Sequence, residues 1–147
     1  MITKAVFDCN VFWQIFFSET GIGRKCWDLV TDEEVELIIS QAVLDEIRDV
    51  LTRPETQSRF AKATAENVEI FIEDIIENAT FIHPVEKKFE YSRDPKDEPY
   101  INLAAQTEAN YIVSRDKDLL NLMSGYDDES KAFRQRFRPL KVVDTLT

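Results

Sequence analysis

The chain has 147 residues, a formal net charge of −10, 44% hydrophobic and 31% charged residues, a profile that suits one compact domain over residues 1–147. No run approaches the roughly 18–20 apolar residues that span a bilayer. Met1 to Phe7 carries one lysine before reaching Asp8, too short and too acidic for a signal peptide, so a cytoplasmic protein with no membrane segment is expected.

Ile2–Phe7 is short, apolar and β-branched, so it reads as a buried strand. A helix follows from about Val11, with Phe12 and Phe16, and Trp13 and Phe17, at i, i+4 spacing. Thr20–Gly23 breaks it, and Arg24–Thr31 reads as a second short helix. Glu36–Ile39 is the next strand. Ser40 suits the N-cap of a helix that Pro54 stops near Arg53. Ser58–Asn78 reads as one helix, with Val68, Phe71, Ile72, Ile75 and Ile76 as its apolar positions, and Thr80–Ile82 as a strand. The polar stretch Phe89–Pro99 is a loop, and Pro99 opens a helix to about Asn110. Tyr111–Val113 is a strand, Asp118 caps a short helix holding Leu119, Leu120 and Leu122, and Lys141–Val143 forms an edge strand.

Strands alternating with helices predict an α/β fold: a three-layer α/β/α sandwich around a mainly parallel sheet. Such sheets bind ligands beyond the carboxyl ends of their strands. Asp8 follows the first strand, Asp116 lies just past Val113, and Asp97 starts the helix that feeds that strand. All three are therefore expected at one rim. Glu46 joins them by helical period. Its face carries Val43 and Val50, whereas Asp45 shares a face with Gln41, Arg48, Asp49 and Thr52. Converging carboxylates repel one another, and a hard divalent cation with oxygen ligands removes that cost. Such a cation can activate water against a phosphodiester. His83 is the single histidine, so cleavage by a histidine pair is excluded. Cys9 and Cys26 have no zinc or disulfide spacing and read as small packed residues.

The charge of −10 runs against nucleic-acid binding, which favours a basic footprint. A carboxylate centre is itself a large negative term, which bound cations offset in part. Lys131, Arg134, Arg136, Arg138 and Lys141 gather near the C-terminus, either as a solvated helix face or as a phosphate- or partner-contacting patch.

Four segments then resemble, in order, the PIN-domain family: Val6–Asn10, Ser40–Pro54, Asp94–Ala104 and Ile112–Leu120. The resemblance implies a Mg²⁺- or Mn²⁺-dependent endoribonuclease with Asp8, Glu46, Asp97 and Asp116 as catalytic metal ligands. Asn10 and Ser114 would orient ligands or water, and Asp118 is an auxiliary acid. Asp94 and Glu98 crowd Asp97, which is preferred by its offset to Ile101, Leu103 and Ala104. The pattern is most similar to toxins of toxin–antitoxin pairs, which implies an RNA substrate, an antitoxin protein and a homodimer. The aromatic run Phe12–Phe17 is either core packing or a dimer or antitoxin surface. The alternatives are a non-catalytic RNA- or protein-binding module on the same fold, and a dehalogenase-type phosphatase. The phosphatase is disfavoured because Asp8-Cys9-Asn10 lacks its second acid.

Overall fold

Leu37, Ile38 and Ile39 are buried in succession, the mark of a strand covered on both faces. The computed structural model describes all residues except 1–2, 19–20, 88, 90, 92–96, 115–118, 121, 126, 138–139 and 144–147. In it the strands are β1 (Thr3–Phe7), β2 (Val35–Ser40), β3 (Ala79–Ile82), β4 (Tyr111–Val113) and β5 (Lys141–Val143). They form one all-parallel sheet in the order β3-β2-β1-β4-β5. Seven helices among the described residues flank it as a three-layer α/β/α sandwich. They are α1 (Cys9–Phe17), α2 (Ile22–Thr31), α3 (Gln41–Leu51), α4 (Pro54–Arg59), α5 (Ala65–Asn78), α6 (Glu98–Thr107) and α7 (Asp128–Arg136). No described helix is long and apolar enough to cross a membrane.

The chain lays β2 and β3 on one side of β1, then crosses to build β4 and β5 on the other. Beyond the ends of β1 and β4 lies the topological switch point, where open parallel sheets leave a crevice. Register fixes what meets there. Phe7 pairs with Val113, so the next residues, Asp8 and Ser114, stand level on neighbouring strands. The Asp8 N–H continues the ladder to the Val113 carbonyl at 3.0 Å.

Two local expectations change. The stretch read as one helix over 58–78 is two helices, because Thr64 opens α5 by accepting the Asn67 N–H at 3.1 Å. Pro54 does more than stop α3: it occupies the first turn of α4, where its missing N–H costs nothing. The C-terminal basic run lies partly on α7, whose acids Asp128 and Glu129 open the helix and whose Arg134 and Arg136 close it, matching the helix dipole. Arg134 is not a free cation for phosphate. It donates to the Leu122 and Gly125 carbonyls, both at 2.8 Å. Lys131 and Lys141 are exposed, and Arg138 lies outside the described residues.

Gly23 shows how closely α2 approaches α1. A Cβ there would stand 2.9 Å from the Gln14 carbonyl carbon and 3.1 Å from its oxygen. Backbone atoms cannot swing aside as a side chain does. Gly23→Ala is expected to lower stability by about 1–3 kcal/mol, read by urea unfolding. A variant as stable as the parent would mean that the helices part at no cost.

Candidate active site at the carboxyl edge of the sheet

Asp8 is held from two sides. It is buried, and as N-cap of α1 it accepts the Val11 N–H through Oδ1 at 3.1 Å. Its Oδ2 accepts a hydrogen bond from the fully buried Ser114 hydroxyl. The Ser114–Asp8 bond thus ties β4 to β1 across the switch point and holds the carboxylate in one orientation.

Glu46 is half-buried on α3, whose buried stripe is Val43, Leu44, Ile47 and Leu51. The adjacent Asp45 is exposed, accepting from Gln41 Nε2 at 2.8 Å and lying 3.7 Å from Arg48. Helical period therefore sends the two neighbouring acids to different surroundings, as expected from the pattern. Ser40 caps this helix by accepting the Val43 N–H at 3.3 Å.

Asp97 is buried at the N-cap position of α6, yet its side chain makes no capping bond to that helix. Three residues on, hence on the same face, stands the buried Tyr100. Burial first, then the Glu46 carboxylate, raise the Tyr100 pKa far above the ordinary phenol range, with Cys9 and Asp8 adding to the effect. Tyr100 was not singled out from the sequence. Its hydroxyl lies beside Glu46 without forming a hydrogen bond of good geometry. Its position one turn after Asp97 on the inward stripe is the signal that could have found it. Such a phenol stays protonated, a donor among acceptors.

Cys9 belongs to the same neighbourhood. Burial, with Glu46 and then Asp8 nearby, pushes its thiol up to about 12, while Arg53 pulls weakly the other way. Cys26 is raised by burial alone. A raised thiol pKa weakens folding as pH climbs past about 9, because the unfolded chain releases that proton first. Without added metal, Cys9 should carry on the order of a thousandfold less thiolate at pH 8 than an unperturbed thiol. Iodoacetamide labelling followed by peptide mass analysis checks this. Labelling of Cys9 in native protein as fast as in urea would contradict it.

Asp8 and Glu46 thus both act on Cys9 and Tyr100, and Asp97 stands three residues before Tyr100 at the start of α6. Asp116, Asp118 and Asp94 lie outside the described residues. Asn10 is exposed on the first turn of α1 and makes no hydrogen bond to the acids among the described residues. His83 is exposed beyond the end of β3, one of the two edge strands.

A family model described as PIN domain matches residues 4–118. The chain belongs to the PIN-domain family. Over 139 residues this PIN domain is 30% identical to the uncharacterised protein MJ1680 of Methanocaldococcus jannaschii, covering 95% of this chain and 84% of that one. It is also similar to a chain from a crystal structure of VapBC2 from Rickettsia felis bound to a DNA fragment from their promoter. The TM-score is 0.59, with 97% and 98% of the two chains covered and 12% identity. At that identity the likeness speaks for the fold alone. PIN domains are generally nucleases, and their hydrolysis typically uses divalent metal ions.

Do the residues fit such an ion? The described ones bring no group of three or more His, Cys, Asp or Glu into metal-holding geometry by themselves. Their chemistry is nevertheless suited to one. The donors are carboxylate oxygens, the preference of hard cations. Asp97 is a buried carboxylate that its own helix does not use as a cap.

Proposed function

We propose that this PIN domain is an endoribonuclease that uses Mg²⁺ or Mn²⁺ held by Asp8, Glu46, Asp97 and Asp116. The observation that supports the reading is the Ser114–Asp8 hydrogen bond at the switch point, with Glu46 and Asp8 both close enough to act on the buried Tyr100. Bound there, a divalent ion would polarise the phosphodiester and lower the pKa of an attacking water. The residues of this chain do the remaining work. Ser114 keeps Asp8 in one rotamer. Tyr100, protonated and buried, presents a hydroxyl beside Glu46. Asn10, exposed on the first turn of α1, would meet substrate or water. Asp118, outside the described residues, would serve as an auxiliary acid.

The toxin role extends this reading. The sequence pattern resembles toxins of toxin–antitoxin pairs, and the fold is similar to that of a VapBC2 chain. An antitoxin protein, a homodimer and a cytoplasmic setting follow from the same resemblance.

The experiment is incubation of single-stranded RNA and single-stranded DNA of mixed sequence with purified protein, in Mn²⁺ or in EDTA. Cleavage of RNA in Mn²⁺ only is expected. Cleavage of DNA alone would overturn the substrate class, and well-folded protein that cuts neither would favour a non-catalytic binding module.

A further inference from the structure

Asp97 and Glu98 are adjacent acids with different surroundings. Asp97 shares the α6 face of Tyr100, Ile101 and Ala104, which is buried. Glu98 begins another stripe, Glu98–Asn102–Gln106, one residue per turn. Each member of that stripe holds the backbone of the segment preceding α6. Glu98 Oε1 accepts the Tyr91 N–H at 2.8 Å, and Asn102 Oδ1 accepts the Phe89 N–H at 2.8 Å. Gln106 Oε1 accepts the Glu86 N–H at 2.6 Å, while its Nε2 donates to the Pro84 carbonyl at 2.7 Å. Residues 84, 86, 89 and 91 of this strap meet partners that descend from 106 to 98, so the two run antiparallel. Phe89 and Tyr91 are buried, and Phe89 packs against Phe133 of α7 with centroids 5.7 Å apart. The strap is thus pinned on one side by apolar burial and on the other by three regularly spaced polar side chains. Ser40, Lys87, Glu98 and Asn102 also line one cleft of about 280 Å³, which sets the ladder at the edge of the rim that carries the acids.

We infer that Glu98, Asn102 and Gln106 form a register clamp that fixes the first turn of α6, and with it the carboxylate of Asp97. Glu98 is a positioning residue in this clamp and not a metal ligand. The inference rests on the metal-site reading above. A helix N-terminus gripped by a ladder along its own length cannot slide or fray, and ligand placement within a metal site tolerates little looseness. Glu98 needs its oxygen as an acceptor, not its charge, for the bond to Tyr91. A glutamine supplies the same acceptor, and an alanine supplies none.

The test uses Mn²⁺ itself as probe, titrated calorimetrically into the full chain after stripping with EDTA, in the parent and in Asp97→Asn, Glu98→Gln and Glu98→Ala. Backbone hydrogen exchange of Phe89 and Tyr91 is followed without metal in the same proteins. Asp97→Asn should weaken Mn²⁺ by roughly a hundredfold, and Glu98→Ala by roughly tenfold, with faster exchange at Tyr91. Glu98→Gln should stay within about twofold of the parent, with Tyr91 still protected. Weakening by Glu98→Gln to the level of Asp97→Asn would make Glu98 a ligand and overturn the clamp. Parent-like binding by Glu98→Ala would overturn it too. Should Glu98→Ala fail to fold, Glu98→Gln still decides between ligand and acceptor. Absence of Mn²⁺ binding by the parent would instead sink the metal-site reading and take this inference with it.

Discussion

Asp8→Asn is expected to abolish most RNA cleavage, by about a hundredfold or more, while leaving the fold as stable as before. The two effects separate because an asparagine can keep the structural duties of Asp8: its Oδ1 still caps the helix, and its Nδ2 can donate to the Ser114 oxygen in place of the bond that Asp8 Oδ2 accepts. As N-cap of α1, Asp8 accepts the Val11 N–H, and asparagine caps a helix as well as aspartate does. In the proposed metal site Asp8 would supply a charge that the amide lacks. Without metal the neutral variant also relieves repulsion among the acids, so in EDTA it should melt no lower than the parent. With Mn²⁺ at about 100 times its Kd, the parent should gain about 2.7 kcal/mol of stability and the variant far less. Asp8→Ala differs: it loses the cap, about 1 kcal/mol, and the buried bond from Ser114 as well. Parallel melting curves and RNA digests distinguish the two variants. An asparagine variant that cuts RNA like the parent would remove Asp8 from the active site.

Phe12→Ala should have the largest effect on folding. Phe12 is fully buried one turn into α1, with its ring centroid 5.9 Å from that of Phe7 at the end of β1. Its N–H also bonds the Asp8 carbonyl at 3.3 Å. The ring therefore anchors the turn that presents Asp8. Emptying that volume costs about 3–5 kcal/mol, a large share of the roughly 5–15 kcal/mol that holds a domain together. A fall in melting temperature of roughly 6–20 °C is expected. A change below about 1 kcal/mol would mean that the core refills around the gap.

Phe12 also shows how the aromatic run divides. Phe12 and Phe16 are buried core. Trp13 and Phe17 are partly buried and cover one another at 4.6 Å, with the exposed Phe60 packed on both at 5.8 and 4.7 Å. Half of the run thus answers to core packing. The other half forms a surface cluster closed largely by a residue from beyond α4, a contact that periodicity within one helix cannot foresee.

The sheet was legible because its strands are short β-branched runs separated by helical periods, and hydrophobic burial on both faces leaves little choice of register. The choice of Glu46 over Asp45 was legible for a similar reason. One residue is 100° of helix, and only one of the two directions faces the core. Ser114 followed from resemblance, but its bond to Asp8 depends on strand register, which appears only when β1 and β4 are paired. The break between α4 and α5 was missed because apolar spacing in α5 extends plausibly backwards, while the capping Thr64 is a single polar residue. The strap on α6 was illegible for a different reason. Its bonds join side chains to backbone 7–22 residues away and leave no periodic trace in the sequence of 84–91. That is also why Glu98 competed with Asp97 in the sequence and separates from it in the structure.

The most direct test of the acidic centre compares the parent with an Asp8→Asn, Asp97→Asn double variant, purified side by side, on one labelled RNA in Mn²⁺ and in EDTA. Cleavage by the parent in Mn²⁺ alone, absent from the variant in either condition, is the predicted result. Equal cleavage by parent and variant, or cleavage that persists in EDTA, would contradict a nuclease built on these carboxylates.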